Sequence, residues 1–477
     1  MTEYDVVVIG AGPVGENVAD RIVRGGLTAA IVEAELVGGE CSYWACMPTK
    51  ALLRDAAALR AARRLPGAAA ALTGPLDPTA VFARRDRFAS GWNDDGQVAW
   101  LDQVGITLVR GHGRLTGPKT VSVTSSSGDL VTLTARHAVV VATGTSAAVP
   151  PITGLSDVGA WTNREAVSAD HAPERLAIIG GGVVGAEMAT AFSALGSSVT
   201  LIARDGVLPN VEPFASAYVA AALRESGAEV LVGASPSSVS RDAAGTVHIT
   251  LADGRVVEAD EVLVATGRKP NSHDLGLDRV GLTPGDWLTV DDTLRVRDAS
   301  GDVVGDGWLY AAGDVNRRAL LTHQGKYQAR AVGDVIVARA TGATVEDAPW
   351  GRHTPTADLR AVPQVVFTEP EIASVGHTVA SAERAGLHVR SVEYDLGAVA
   401  GAALHGDGYA GRASILIDDE GNRIVGFTAV GPDVAELLHA ATIAITAEVP
   451  LDRLWHAVPA YPTVSEVWLR LLETAGL

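Results

Sequence analysis

At 477 residues the chain is too long for a single hydrophobic core, and 47% hydrophobic with 20% charged residues fits a multidomain α/β protein better than a disordered or fibrous one. A formal net charge of -18 excludes nucleic acid and anionic membrane surfaces as expected partners. No apolar run reaches the ~18 residues needed to cross a bilayer, and no basic flank precedes the first apolar stretch, so a cytoplasmic protein is expected.

In chain order, the apolar run Tyr4 to Ile9 predicts a strand, followed by Gly10-Ala11-Gly12-Pro13-Val14-Gly15, a helix to about Arg24, and a strand Ala29 to Val32 that ends in Glu33. This is the opening βαβ of a nucleotide-binding domain. Gly10 allows a tight turn, Gly12 a close approach of backbone to pyrophosphate, and Gly15 close packing of helix on strand. A carboxylate at the end of the second strand, Glu33, accepts hydrogen bonds from a ribose diol and repels a 2′-phosphate, which points to FAD rather than a phosphorylated adenosine. Next comes Gly38-Gly39-Glu40-Cys41-Ser42-Tyr43-Trp44-Ala45-Cys46-Met47-Pro48-Thr49-Lys50, read as the start of one helix to about Arg64. The arginine pairs Arg63-Arg64 and Arg84-Arg85 read as solvated helix faces. Residues 114–137 are β-rich with Gly, Ser and Asp turns, and the strand Ala138 to Val141 runs into Ala142-Thr143-Gly144.

The signature then repeats. Leu176 to Ile179 leads into Gly180-Gly181-Gly182-Val183-Val184-Gly185, with a helix through about Leu195 and a strand Ser198 to Ile202. Gly180, Gly182 and Gly185 repeat the spacing of the first triplet. Here the strand continues into Ala203-Arg204 with no carboxylate at its end, and Arg204 offers a charged fork to a phosphate. NADPH is therefore the expected nicotinamide, with NADH as the alternative. The strand Glu261 to Val264 ends in Ala265-Thr266-Gly267-Arg268, echoing the turn at Gly144, and internal symmetry of this kind indicates two related domains. Trp308 to Ala311 leads into Ala312-Gly313-Asp314, a sensible place to hold a ribityl hydroxyl, before a helix starting near His323. From about residue 346 the pattern changes to proline-rich loops, alternating segments and apolar helices near Val434 to Ala447 and Glu466 to Ala475, as in an α+β domain packed on a second subunit. The expected divisions are a FAD domain over 1–150, an NAD(P) domain over 151–270, a central domain completing the FAD site over 271–345, and an interface domain over 346–477.

The only two cysteines stand five positions apart, as in an intracellular redox pair rather than a secreted disulfide framework. In a continuous helix such residues are separated by about 7.5 Å of rise and about 140° of rotation. A disulfide needs Cα atoms within about 7 Å. A Cys41–Cys46 bond therefore requires distorted first turns, and the two glycines ahead supply the freedom. A helix start also lowers a thiolate pKa, and Lys50 adds positive charge one turn after Cys46. No clustering of His, Asp and Cys has metal-ligand spacing, so no metal is expected.

With these motifs in place, the chain resembles the pyridine nucleotide-disulfide oxidoreductases, the flavoprotein family of dihydrolipoamide dehydrogenase, glutathione reductase, mycothione reductase and mercuric reductase. The run Gly-Gly-x-Cys-x4-Cys-x-Pro-x-Lys carries most of the specificity. The resemblance implies a head-to-tail homodimer, with Cys46 as the flavin-proximal thiol and Cys41 as the interchange thiol. It also implies a Lys50 and Glu187 pair beside flavin N5 and Asp314 on the FAD ribityl chain. The segment at His323 would lie near the flavin pyrimidine by its backbone.

The chain departs from the family at its end. Relatives read His-Pro-Thr-x-Ser-Glu, where the histidine is the partner subunit's acid–base and the glutamate orients it. Here the run is Tyr461-Pro462-Thr463-Val464-Ser465-Glu466. His456, five residues upstream, falls out of that register and reads as a loop histidine. Phenols ionise near pH ~10 and suit general-base work at neutral pH poorly. Tyr461 is better fitted to donate a hydrogen bond to a leaving thiolate or oxyanion. Between the cysteines, bulky Tyr43 and Trp44 either line the substrate channel or pack beneath the flavin domain. With both cysteines used, neither the metal-delivering pair of mercuric reductase nor the second redox pair of large thioredoxin reductases has a counterpart. The expected activity is transfer of electrons from NADPH through flavin and the Cys41–Cys46 disulfide to a small-molecule disulfide or related electrophile. Alternatives are NAD-dependent dihydrolipoamide dehydrogenase, a quinone reductase, and a nucleotide-sensing protein without catalysis.

Overall fold

Consecutive β-branched residues make the first strand, β1 (Thr2–Ile9), one that is covered on both faces, and Val6, Val7 and Val8 are fully buried. In this computed structural model, which describes residues 2–477, β1 runs parallel to β2 (Ala29–Glu33) and to the end of the strand Leu130–Val141. The sheet extends to Thr107–Arg110 beyond β2 and to Leu309–Ala311 beside Leu130–Val141. On one face Val6, Val8, Ile31 and Val140 pack on Val18, Ala19 and Ile22 of α1 (Pro13–Arg24) and on Val332, Val335 and Ile336 of the helix Thr322–Thr341. On the other, Val7, Ile9, Val139 and Val141 pack on Leu115, Val121, Leu275 and Trp308. A bidentate Arg21–Asp334 pair, with a 2.6 Å contact, fastens α1 to the helix Thr322–Thr341. These elements belong to one compact unit, formed by Met1–Met47, Asp86–Ser146 and Arg268–Leu359.

The other unit comprises Pro48–Arg85, Ala147–Gly267 and Arg360–Leu477. It holds a four-stranded parallel sheet in the order Glu229–Val232, Ser198–Ala203, Arg175–Ile179 and Glu261–Val264. A three-stranded antiparallel meander spans Pro236–Arg241, Val247–Leu251 and Val256–Ala259. The C-terminal part is a five-stranded antiparallel sheet with Arg423–Gly431 between Glu371–Gly376 and Arg412–Asp418. The helices Leu438–Thr446 and Val467–Thr474 cover it, and Trp468 stacks on Phe427 with ring centroids 4.9 Å apart. The fold is thus two Rossmann-like α/β domains and a separate C-terminal α+β domain. No helix among the described residues is long and apolar enough to cross a membrane.

Two sequence readings need correction. The cysteine segment is not one helix: α2 (Gly39–Tyr43) ends at Trp44, and α3 (Cys46–Arg63) begins afresh. Gly38 and Gly39, at φ 111° and 56°, turn the chain into α2, and Trp44, at φ -134°, ends it, so the cysteines sit on separate helical segments and escape the continuous-helix spacing. Nor are the arginine pairs uniformly solvated. Arg85 is buried and donates to the carbonyls of Val167 and Ala169, Arg84 donates to Ala51, and Arg64 pairs with Glu369 at 3.5 Å.

Candidate active site

The first glycine motif is dictated by backbone crowding. A Cβ on Gly10, which sits at φ 102°, would strike the carbonyl of Ala142, and one on Gly15 would strike the carbonyl of Gly10. Gly180 and Gly185 repeat both contacts, against Ala265 and Gly180 respectively. Gly12 and Gly182 are the N-cap residues of their helices, and no side chain caps either first turn, so its amides face outward as a pyrophosphate requires. Gly144 and Gly267 close the later turns with positive φ of 65° and 148°.

The two nucleotide turns differ at one decisive atom. Gly10 donates to the carbonyl of Val32 at 2.8 Å, and Gly180 to that of Ile202 at 2.9 Å, so Ala203 occupies the place of Glu33. The Glu33 carboxylate accepts from the amides of Ala11, at 2.7 Å, and Glu35, at 2.8 Å. Burial pushes its pKa up against those two donors. In the second domain the methyl of Ala203 offers no acceptor to a ribose. Arg204 follows on the surface, its guanidinium paired with Asp205 at 2.7 Å. Asp314 accepts from the hydroxyl of Thr145 at 3.0 Å, and Thr145 in turn receives a 3.0 Å bond from Arg268 Nε. Burial raises the Asp314 carboxyl while Thr145 and Arg268 oppose it. The donor set and the glycine cradle therefore fit FAD in the first domain and an NAD(P) nucleotide in the second. His323, second residue of its helix, is exposed.

Cys41 and Cys46 are present as two thiols. A hydrogen bond to Cys46 and then burial hold the Cys41 thiol far above its usual range, while the Thr322 hydroxyl and the Lys326 charge pull it down. The same hydroxyl lies 3.3 Å from Cys46 Sγ. Cys46 opens the 18-residue α3, where the helix dipole favours a thiolate. Thr322 escaped the sequence reading because it lies 276 residues from Cys46; its only local sign is its place beside His323. Tyr43 is fully buried with its hydroxyl bonded to the carbonyl of Val37 at 2.9 Å, which makes it packing, while Trp44 is half-buried.

One turn into α3, Lys50 Nζ pairs with Glu187 at 2.8 Å and lies 5.0 Å from the Phe367 ring centroid. The other Glu187 oxygen accepts from the amide of Phe367 at 2.9 Å, so this carboxylate, 2% exposed, is satisfied on both sides. The C-terminal pair is not assembled. Tyr461 is 76% exposed, whereas Glu466 is buried with one oxygen bonded to Arg470 at 2.6 Å and the other without a hydrogen-bond partner among the described residues. His456 is exposed. Among the described residues no group of three or more His, Cys, Asp or Glu side chains could hold a metal ion.

Residues 4–342 match the pyridine nucleotide-disulphide oxidoreductase family, and residues 362–471 match the dimerisation domain of the same family. The chain belongs to the pyridine nucleotide-disulphide oxidoreductases. Within the family it is 30% identical to the dihydrolipoyl dehydrogenase of Rhizobium etli, covering 97% of this chain and 96% of that one. It is 32% identical to the mercuric reductase of Shigella flexneri, over 97% of this chain and 79% of that one. LpdA from Mycobacterium tuberculosis superposes with a TM-score of 0.82 at 27% identity over 99% of both chains. The HOCl-induced flavoprotein disulfide reductase RclA from Escherichia coli shares the fold, at a TM-score of 0.83 and 22% identity over 99% of both chains. As a pyridine nucleotide-disulphide oxidoreductase the protein is an FAD- and NAD(P)H-dependent enzyme that relays electrons through a disulfide, and its dimerisation domain supports a homodimer.

Proposed function

We propose that the protein takes electrons from NADPH and delivers them, through FAD and the Cys41–Cys46 pair, to a small-molecule disulfide or related electrophile in the cytoplasm. The observation that carries this reading is the dithiol itself, with the Cys41 thiol raised by its hydrogen bond to Cys46 and by burial, and Cys46 at the start of α3, 3.3 Å from the Thr322 hydroxyl. FAD, when bound, supplies the two-electron relay between nicotinamide and thiols. Cys46 is the thiol nearest the flavin, and Cys41 attacks the acceptor. Glu33 and Asp314 hold the adenosine ribose and ribityl hydroxyls, and Lys50, steadied by Glu187, lies beside the flavin. Tyr461, reaching the site of the partner subunit, donates a hydrogen bond to the leaving thiolate, and Glu466 supports its segment. Anaerobic addition of NADPH to the FAD-loaded protein should develop a long-wavelength thiolate–flavin absorption; active enzyme that lacks it would remove Cys46 from this role.

NADPH rather than NADH follows from Ala203 standing in the place of Glu33 with Arg204 next to it. Arg204 is paired with Asp205, and a 2′-phosphate exchanges for that carboxylate. Arg204→Ala should raise the KM for NADPH about tenfold or more and leave that for NADH unchanged, since a charge-assisted hydrogen bond contributes about 1.5–3 kcal/mol. Equal effects on both nucleotides in steady-state kinetics would show that Arg204 does not read the phosphate.

A quinone acceptor is the second reading, favoured by the unassembled Tyr461 and Glu466, because a quinone is reduced without thiol exchange. A screen of small disulfides and quinones with wild type and Cys41→Ser separates the two, since only disulfide turnover depends on Cys41. If thiol exchange is the limiting step, Tyr461→His should raise turnover of a simple disulfide by about tenfold or more, within the range of a positioned acid–base. No gain with flavin content and dimer intact would place the limitation elsewhere.

A further inference from the structure

The Cys41–Cys46 relay depends on the break between α2 and α3, and a break in a helix has to be held open. In a continuous helix the carbonyl of Tyr43 accepts from the amide four residues on, that of Met47, and the two cysteines stand about 7.5 Å apart in rise and about 140° in rotation. Here α2 ends at Trp44, at φ -134°, and a hydrogen bond joins the two thiols. The break is therefore already made in the dithiol, before a covalent bond links the sulfurs. The Tyr43 carbonyl takes its donor from a distant part of the chain: Trp92 Nε1 donates to it at 3.2 Å.

Strained backbone delivers that indole. Three consecutive residues, Ser90, Gly91 and Trp92, have positive φ, at 51°, 59° and 55°. Glycine adopts this conformation freely, whereas a non-glycine residue there is uncommon and a bulky one carries strain. A turn selected for its own stability has glycine, asparagine or aspartate at such positions. Amide bonds from Trp92 to Ala89 at 2.8 Å and from Asn93 to Ser90 at 3.1 Å close the turn, and its outcome is the aim of the Trp92 ring. The same stretch grips the cysteine segment at further points. Asp94 accepts from the amide of Val37 at 2.7 Å and pairs with Arg110. The Tyr43 hydroxyl is shared between the carbonyls of Val37, at 2.9 Å, and Asn93, at 3.4 Å. Gln97 stands so close to Gly38 that a Cβ there would meet its side-chain nitrogen at 2.8 Å. Of these contacts, the Trp92 bond is the one that falls on the carbonyl a continuous helix would use. All of these residues belong to the unit formed by Met1–Met47, Asp86–Ser146 and Arg268–Leu359.

We propose that Trp92 is a positioning residue for the redox pair: by occupying the Tyr43 carbonyl it keeps α2 and α3 from merging, and so sets how readily Cys41 and Cys46 form their disulfide. This rests on the two cysteines being the redox pair. With the indole in place the dithiol is pre-organised for closure, in which two electrons and two protons leave the thiols and the S–S bond forms. Without the indole N–H the dithiol gains a competing state, the continuous helix, in which the Tyr43 carbonyl accepts from Met47 and the sulfurs lie too far apart to bond. The disulfide has no such alternative. Loss of the N–H therefore favours the reduced form, and the pair becomes a stronger oxidant and a weaker donor to its acceptor.

The test equilibrates the FAD-loaded enzyme, anaerobically and without nicotinamide, in mixtures of reduced and oxidised dithiothreitol. Two electrons and two protons pass between the couples, the dithiothreitol thiols closing to their ring disulfide as the Cys41–Cys46 bond opens. After acid quenching and alkylation, mass spectrometry measures the fraction of Cys41–Cys46 disulfide. Trp92→Phe keeps an aromatic ring and removes the N–H, and should lower the equilibrium constant for disulfide formation about fivefold, within the range of one hydrogen bond and equivalent to about 20 mV for a two-electron couple. In the reduced variant the Met47 amide should exchange with deuterium more slowly than in wild type, because it gains the Tyr43 carbonyl. Asp94→Asn loosens the same loop and leaves the indole alone, so it should lower the urea midpoint and keep the disulfide constant of wild type. An unchanged constant in Trp92→Phe, or the same shift in Asp94→Asn, would overturn the assignment. Wild type supplies a check that needs no variant to fold: its Met47 amide, in the first turn of α3, should exchange rapidly in the dithiol, and protection there would overturn the proposal as well. Wild type that forms no Cys41–Cys46 disulfide in oxidised dithiothreitol would remove the redox pair and this role together, a result distinct from a pair whose equilibrium ignores Trp92.

Discussion

Replacing Cys46 with serine should abolish both the long-wavelength absorption of the NADPH-reduced enzyme and disulfide turnover, whereas Cys41→Ser should abolish turnover and keep the absorption. The asymmetry follows from where the proton sits. Cys41 is held in its thiol form by its hydrogen bond to Cys46 and by burial. In the proposed roles the charge belongs to Cys46, which stands at the start of α3 and 3.3 Å from the Thr322 hydroxyl. Removing Cys41 leaves that thiolate with its helix dipole and Thr322, so its signature persists. Removing Cys46 leaves Cys41 without the neighbour that closes the disulfide. Loss of either nucleophile should reduce disulfide turnover by roughly 10³-fold or more, about 4 kcal/mol in activation free energy. Anaerobic spectra alongside turnover with a small disulfide check this; an absorption that survives in Cys46→Ser and vanishes in Cys41→Ser would exchange the two roles.

How much of this was legible in the sequence depends on distance along the chain. The glycine turns could be read because each is a local device: Gly15 packs on the carbonyl of Gly10 within one strand, turn and helix, and the repeat at Gly180 and Gly185 makes the pattern unmistakable. Glu33 was readable for the same reason, since the end of β2 is fixed by its apolar run. The break between Tyr43 and Cys46 was not. Periodicity favours one helix there, whereas the backbone leaves the helical region at Trp44, φ -134°, next to Tyr43, whose hydroxyl is anchored to the carbonyl of Val37. Arg85 shows the opposite failure. Its charge suggested solvent, but its carbonyl partners at Val167 and Ala169 are 82 and 84 residues away, beyond any local pattern. Thr322 and the Phe367 amide were hidden likewise. Recognition chemistry carried by one turn of chain shows in sequence, while partners supplied by another element do not. That is also why the cysteine pair identifies the relay more firmly than its acceptor.

Lys50→Met should both destabilise the second unit and slow reduction of the flavin, and the two effects should be separable. Glu187 is 2% exposed and keeps only the Phe367 amide once the ammonium is gone. A buried carboxylate left without its counter-ion costs about 3–5 kcal/mol, and the partial exposure of Lys50, 34%, places this pair at or below the low end, about 2–3 kcal/mol. Glu187→Gln keeps an acceptor for Phe367 and buries no charge, so its cost should be smaller, about 1 kcal/mol. The double change Lys50→Met with Glu187→Met removes both charges and should recover most of the stability lost in Lys50→Met alone. The functional loss should not recover, because in the proposed role the ammonium steadies negative charge developing on the flavin, an effect of about 10²-fold for one positioned charge. Urea unfolding of the three variants gives the first comparison, and stopped-flow reduction by NADPH gives the second. If the double variant regained stability and reduction rate together, Lys50 would be a structural cation; if it regained stability alone, the ion pair would hold a lysine whose charge acts on the flavin.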